Sequence, residues 1–365
     1  MKVLSVSADR FRSLEDVILE LGPGSSAVFG PNGSGKTNLL EAAFFGLTGK
    51  SFRTADRRDL IPFGGDHARV SVSIEADDGV VHEFMTATSR AEQTRTTLDG
   101  ARVDRSEAER NRPAVTVFSP ERLELVKGPP ALRRAHLDRF VGARWPGREG
   151  LRREFGRTLS QRNALLSSIA RGEGSPAALA TWDAQLARAG ASLSQAREEA
   201  CGLLAPAYRE ACEALGLEGA NGLEYRPAAA TSEEALLLGL EERRQRDIEA
   251  GRSTWGPQND ELRLERDGRQ LRRFGSQGQQ RLGLLSLLFA ERRVLTEAGN
   301  PTPLLLLDDV MSELDAERRA ALLTQLASGG QALISAAEEE LLPSDGDLVR
   351  VPIEGLLGVS SGTGG

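Results

Sequence analysis

The chain of 365 residues is short of several residue types, and each shortage narrows what it can be. It has two cysteines and three histidines, scattered along the sequence, so no zinc-ligand spacing exists. Cys201 and Cys212 fall in a helix-forming stretch, which separates them by roughly 16 Å along the axis. Disulfide Cα atoms lie within about 7 Å of each other, so two reduced, buried thiols are expected. Aromatics are only 5% of residues, which leaves little support for stacking on nucleic-acid bases. No apolar run approaches the ~18 residues of a membrane span. Met1 to Arg10 has no apolar signal core, and a cytoplasmic location is expected. The net charge is −7, so overall charge offers no case for a nucleic-acid partner. Lysine is scarce: four residues, against 42 arginines. A chain that otherwise uses arginine has a lysine at position 36.

What is present divides into three textures. Residues 1–120 read as strands with one embedded helix. Val3, Ser5 and Ser7 alternate with Leu4, Val6 and Ala8; Val17 to Leu21 and Ser26 to Phe29 follow as strands. Val70, Val72 and Ile74 alternate with serines, and Asp78-Gly79 and Asp99-Gly100 are hairpin turns. Residues 121–255 lose their β-branched runs to Ala, Leu, Arg and Glu, enough for three to five helices. Pro206 is expected to break the longest, and loops are expected at 172–176 and 216–227. From about Leu262 strands return, with a third turn at Asp267-Gly268, strands at 304–307, 331–335 and 348–353, and a frayed tail from Gly355. The simplest architecture is one α/β domain built from both chain ends, 1–120 and 256–365. A mostly helical domain, 121–255, is inserted in it.

Two segments carry chemistry. Gly30-Pro31-Asn32-Gly33-Ser34-Gly35-Lys36-Thr37 follows a strand and opens a helix, the context of a phosphate-binding P-loop. Its glycines let successive N–H groups face one concavity, and the helix start adds positive potential. Lys36 would reach the β- and γ-phosphates of ATP, and Thr37 would offer a hydroxyl to Mg²⁺. Leu304 to Leu307 is a buried strand ending in Asp308 and Asp309, the form of a Walker B motif. Asp308 would hold Mg²⁺, and Asp309 would orient or deprotonate the attacking water.

Phe274-Gly275-Ser276-Gln277-Gly278-Gln279-Gln280-Arg281 leads into an apolar helix, with Ser276 placed as its N-cap. It resembles the signature of ABC-type ATPases, and Ser312-Glu313-Leu314-Asp315 resembles their D-loop. The order Walker A, signature, Walker B, D-loop is theirs too. Phe11-Arg12-Ser13-Leu14 and the segment from Gly30 to Ala42 are similar to the heads of SMC-like proteins. Lys50-Ser51-Phe52-Arg53, Phe118-Ser119-Pro120-Glu121, Leu125 to Pro130, Arg133-Arg134, Trp182-Asp183, Gly190 and Arg197 resemble the bacterial RecF family over nearly the whole chain. The resemblance implies an SMC/ABC-type P-loop head with a mixed sheet, antiparallel hairpins and a short helical arm. It implies Arg12 beside the phosphates, and Ser276, Gly278 and Gln279 contacting the nucleotide of a second subunit. It further implies an ATP-dependent homodimer, slow hydrolysis, DNA binding, RecO and RecR as partners, and loading of RecA, with roles in replication recovery and the SOS response. Two departures stand out. Gln258-Asn259 occupies a place where the family often has His-Arg. Ser335-Ala336-Ala337 lacks the switch histidine of ABC transporters, and no Gln-loop glutamine is evident near Val115 to Phe118.

Charge is polarised. Arg122 to Arg162 carries net +7, and Glu297 to Asp347 net −9. The basic stretch is a candidate surface for DNA backbone, which favours duplex or a duplex–single-strand junction, with single-stranded DNA also open. A transporter subunit would need a membrane partner and a switch histidine. An SMC-like DNA tether would need hundreds of coiled-coil residues, whereas 238 residues separate Thr37 from Ser276 with no sustained heptads. A small-molecule kinase would need neither Ser276 nor the D-loop.

Overall fold

The structure, a computed structural model, describes residues 1–104, 107–108, 111–327, 329–342 and 348–357. Residues 358–365 of the expected tail, and Asp345 and Asp347 of the acidic stretch, lie outside them. The chain forms two compact units. One comprises Met1–Arg122, Ala214–Gly216 and Pro301–Gly365; the other comprises Leu123–Glu213 and Leu217–Asn300. The boundary expected at 256 is therefore displaced to about 300. The cause is strand pairing: β10 (Glu261–Arg266) pairs along its whole length with β9 (Asn221–Arg226), which ties the signature segment to the helical unit.

In the first unit, among the described residues, two sheets share one core. β2 (Val17–Glu20), β1 (Lys2–Asp9), β4 (His67–Glu75), β5 (Val81–Ser89), β6 (Arg95–Leu98) and β7 (Ala101–Arg102) are antiparallel in that order. β14 (Val349–Pro352), β3 (Ser25–Phe29), β13 (Ala332–Ala336), β12 (Leu304–Leu307) and β8 (Val115–Phe118) form a parallel sheet. The four leucines of β12 are all buried, as both faces of a parallel strand are covered. Helix α1 (Lys36–Thr48) buries Leu39, Leu40 and Phe45 in the core that also holds Val6, Val70, Val28, Leu306 and Leu333. A Cβ on Gly46 would stand 2.6 Å from Val72, so glycine sets how closely α1 approaches β4.

The period-2 reading of β1 fails at its start. Val3 is buried with Val6 and Ala8 rather than facing out with Ser5 and Ser7. The pairing with β4 shifts register between Val3 and Ser5, and the extra residue reverses the parity of the strand. The side chain of Gln331 exploits the bulge: its amide bonds both the N–H and the C=O of Val3, at 2.6 and 2.7 Å, and also the C=O of Gly22. The Asp99-Gly100 and Asp267-Gly268 turns have positive φ at both residues, as two-residue hairpins require.

The second unit packs helices Pro130–Arg144, Leu151–Ala170, Leu179–Ala214 and Gln277–Glu297 with a sheet of β9, β10 and β11 (Arg269–Gln270). Two expectations are corrected. Residues 221–226, read as loop, form β9, because six pairs to β10 outweigh the weak strand preference of Asn-Gly-Leu-Glu-Tyr-Arg. Pro206 lies inside the 36-residue helix instead of breaking it. Buried Ala200, Leu204, Ala207, Tyr208 and Ala211 hold both sides of the proline to one packed face, and packing overrides the lost hydrogen bond. Cys201 and Cys212 are buried free thiols in this helix, and burial pushes the Cys201 pKa up to about 12.

Much of what resembles the RecF family here is internal ion pairing. Arg162 is fully buried between Asp183 and Asp247, 2.7 Å from each. Arg197 joins Asp138 and Asp260, and Arg133 joins Glu261. Gly190 lets Leu236 and Pro257 approach to 3.3 Å of where a Cβ would stand. Gln258 and Asn259 bond the carbonyls of Trp255 and Thr254, which makes them turn formers. Arg133 and Arg162 are thus taken from the basic stretch for internal contacts, whereas Arg148 pairs with Glu199 at the surface. Arg162→Ala leaves Asp247 and Asp183 with a buried charge and one cation fewer. The expected cost is about 3–5 kcal/mol, read as a clear fall in the melting temperature by calorimetry. A melting temperature equal to the native one would show that water solvates the two carboxylates.

Candidate nucleotide site

The order β3-β13-β12-β8 puts the C-terminal ends of four parallel strands side by side, the edge at which open α/β sheets hold ligands. β3 delivers residues 30–35 and then α1. Gly30, Gly33 and Gly35 have φ of 148°, 83° and 102°, values that disfavour any side chain. A Cβ on Gly30 would also stand 2.6 Å from Ile353. The Gly30 N–H bonds the carbonyl of Ala336, fastening the loop to β13. Helix α1 begins without a side-chain cap, so its first-turn N–H groups are left for an anion.

Lys36, Thr37 and Asp308 meet at this edge. The Lys36 ammonium donates to the carbonyls of Gly30 and Pro31, each at 2.7 Å. Burial lowers its pKa from the ordinary lysine value, while the charges of Asp309 and Asp308 act to raise it. The Thr37 hydroxyl donates to Asp308 at 2.8 Å, and the Ser335 hydroxyl donates to the same carboxylate at 2.8 Å. Burial lifts the Asp308 pKa, opposed by the bonds from Ser335 and Thr37 and reinforced by Glu121 and Asp309. An ionised Asp308 is therefore desolvated next to further negative charge, an arrangement a divalent cation would relieve.

Asp309 has φ of 50°, and its N–H bonds the Ser335 hydroxyl at 2.9 Å. Its Oδ1 is buried without a hydrogen-bond partner, as is the Ser34 hydroxyl in the loop. Two orphaned polar atoms, an uncapped helix start and a glycine-lined loop fit a phosphate chain. The D-loop Ser312 hydroxyl bonds the Asp309 carbonyl at 3.0 Å, and Asp315 caps the following helix through the Arg318 N–H.

The expected site residues fall in two places. Gly30 to Thr37, Asp308 and Asp309 converge in the first unit. Arg12 lies in that unit too, its Nη2 bonded to Glu41 at 2.8 Å. Ser276, Gly278 and Gln279 belong to the second unit, at the start of helix Gln277–Glu297. There Ser276 and Gln279 form a reciprocal capping box and Gly278 is exposed. Two residues escaped the sequence reading. Ser335 stands where transporters have histidine, and its hydroxyl links the Asp308 carboxylate to the backbone N–H of Asp309. Glu41 falls within the Gly30 to Ala42 segment without a role of its own; a lone charge in Leu39-Leu40-Glu41-Ala42-Ala43 is the available signal.

The fold and this edge define an ABC-type ATPase head. Residues 2–355 match the model of the RecF/RecN/SMC N terminal domain. The chain is 36% identical over 341 residues to the DNA replication and repair protein RecF of Moorella thermoacetica, covering 92% of this chain and 89% of that one. It is 38% identical over 370 residues to RecF of an Anaeromyxobacter species, covering 97% and 98%. A solved structure of the recombination mediator protein RecF with ATPrS, in the RecFOR pathway, aligns with a TM-score of 0.81 at 26% identity over 96% of each chain. The chain belongs to the RecF family.

Asp308→Asn tests the electrostatics. Because burial raises the Asp308 pKa, this carboxylate favours the fold only in its protonated form, and that gain is lost as pH rises through its folded-state pKa. At neutral pH the amide removes the cost of the buried charge, so the melting temperature should be no lower than native. ATP hydrolysis should fall at least ~100-fold, as when one transition-state stabiliser is lost. A lower melting temperature with hydrolysis intact would contradict both assignments.

Proposed function

We propose that this chain is an ATP-controlled DNA-binding protein of recombinational repair, in which nucleotide binding pairs two copies. The observation that carries the reading is the Thr37–Asp308 contact, which joins the P-loop helix to the Walker B strand within one unit. Thr37 and Asp308 would hold Mg²⁺, which supplies positive charge to the β- and γ-phosphates of ATP. Lys36 exchanges its two loop carbonyls for phosphate oxygens. The unpartnered Asp309 Oδ1 accepts a hydrogen bond from the attacking water and orients it. Asp309 is one methylene shorter than the glutamate usual in transporters, and slow turnover is the expectation. Hydrolysis then serves as a timer for release.

Charge supports pairing with a second copy. Exposed Arg269, Arg272 and Arg273 flank Ser276 in the chain, while Asp308, Asp309, Glu313 and Asp315 follow one another after β12 on the other half of the site. A nucleotide held on one copy and read by Ser276 and Gly278 of the other adds binding energy only to the associated state. For DNA, exposed Arg153 and Arg157 lie one turn apart on helix Leu151–Ala170. Trp145 carries the guanidinium groups of Arg144 and Arg148 at 5.2 and 4.6 Å, an aromatic–basic cluster that broadens the choice toward single strands at a junction. Family membership supports RecO and RecR as partners, RecA loading at gaps, a part in replication recovery and SOS induction, and a cytoplasmic site of action. No helix among the described residues is long and apolar enough to cross a membrane.

Molar mass by light scattering with Mg²⁺ and ATP, against ADP, tests the pairing. The native chain should double in mass with ATP alone. Ser276→Arg should bind ATP on its own P-loop and remain single. A native chain whose mass never changes, with or without DNA, would remove the trans role of Ser276.

A further inference from the structure

Glu41 is fully buried in α1, in a stretch that is otherwise apolar. A carboxylate there is costly unless several donors surround it. It has them. Arg12 approaches with Nε and Nη2, a two-pronged pairing, and the Ser51 hydroxyl donates to Oε1. Arg53 Nη1 stands 3.4 Å from Oε2. Each donor is itself fixed. Arg12 sits at a turn with φ of 53°, its N–H on the Leu60 carbonyl and its Nη1 on the Asp59 carbonyl. Arg53 Nη1 also bonds Asn38, whose amide bonds Ser13. The Ser51 hydroxyl accepts the N–H groups of Arg53 and Thr54.

This cluster borders the P-loop. A Cβ on Gly35 would stand 3.1 Å from Leu14 and 3.6 Å from Ser13, so the turn carrying Arg12 lies on the last glycine of the loop. Two guanidinium groups on one carboxylate leave one net positive charge. The side chains of Arg12 and Arg53 keep 18% and 33% of their surface open, whereas Glu41 keeps none. The carboxylate is hidden, and the excess positive charge faces outward, already ordered.

We infer that Glu41 is a positioning residue. Its carboxylate sets the Arg12 guanidinium for the phosphates, and the Lys50-Ser51-Phe52-Arg53 segment is the strut that completes the clamp. The inference rests on the reading that Arg12 contacts ATP. Order imposed before binding spares the ligand that cost, so affinity should depend on Glu41 through Arg12.

The test is a double-mutant cycle on the full chain, with Mg²⁺-ATPγS as titrant in calorimetry. Arg12→Ala should weaken binding about tenfold, the scale of one charge-assisted contact. Glu41→Gln, which keeps the shape, should weaken it by a similar factor. The double variant should bind no worse than Arg12→Ala within about twofold, a coupling that a purely structural Glu41 would not produce. Losses that multiply in the double variant overturn the inference while leaving Arg12 at the phosphates. An Arg12→Ala chain with native affinity removes the role of Arg12 itself, and the inference with it. If circular dichroism finds Glu41→Gln unfolded, Arg12→Lys decides. Lysine keeps the charge but cannot make the two-pronged pairing, so it should bind nearly as weakly as alanine. Native affinity in Arg12→Lys overturns the positioning role.

Discussion

The contact between the Thr37 hydroxyl and the Asp308 carboxylate is the one on which the site depends. It joins residues 271 positions apart, and nothing local could bring them together. It exists because the parallel sheet interleaves the chain ends: β3 beside β13, β13 beside β12, β12 beside β8. Each strand ends at the same edge. The P-loop leaves β3, the two aspartates leave β12, and Ser335 lies on β13 between them. Its hydroxyl donates to Asp308 and accepts the N–H of Asp309, so one small side chain ties the Asp308 carboxylate to the backbone of Asp309. A transporter's histidine reads the nucleotide from this strand; here a serine organises the acids instead.

That edge is assembled from groups that would be more stable elsewhere. Asp308 is desolvated, Lys36 is desolvated, and Ser34 and Asp309 each bury an oxygen without a partner. Asp309 and Arg12 also occupy left-handed backbone conformations that glycine would adopt more easily. Such features destabilise a resting protein and are offset by the largely apolar core beneath, to which β3, β12, β13 and α1 contribute Val28, Leu306, Leu333, Leu39, Leu40 and Phe45. Local strain concentrated at one edge of an otherwise well-packed unit is the pattern of a ligand site.

How far the sequence disclosed this differs by element. The P-loop, the Leu304–Leu307 strand with its two aspartates and the Ser276 cap were legible because each rests on local chemistry: glycine backbone freedom, a buried run, a hydroxyl at a helix start. The β1 bulge was hidden because alternation carries no record of one inserted residue. β9 was hidden because its strand character comes from β10, some 40 residues later. Pro206 misled because propensity is local and the packed face of the helix is not. Charge counting over Arg122 to Arg162 also misled in part. Composition cannot tell Arg162, locked between two aspartates, from Arg153, which faces water.

The same distinction explains the second unit. Arginine–carboxylate pairs are buried between its helices, in places that apolar side chains would hold in a simpler bundle. Buried ion pairs add little net stability over apolar packing, but they tolerate few alternative arrangements, because each misplaced member leaves an unpaired charge. Arg162 with Asp183 and Asp247, and Arg197 with Asp138 and Asp260, therefore specify how helices Pro130–Arg144, Leu151–Ala170 and Leu179–Ala214 fit the 244–260 segment, and Arg133 with Glu261 ties β10 to the first of them. β10 leads through Asp267-Gly268 and β11 to Ser276. The ion pairs thus fix the base from which the helix headed by Ser276 starts, and under the proposed pairing of two copies that helix start needs a base that does not shift.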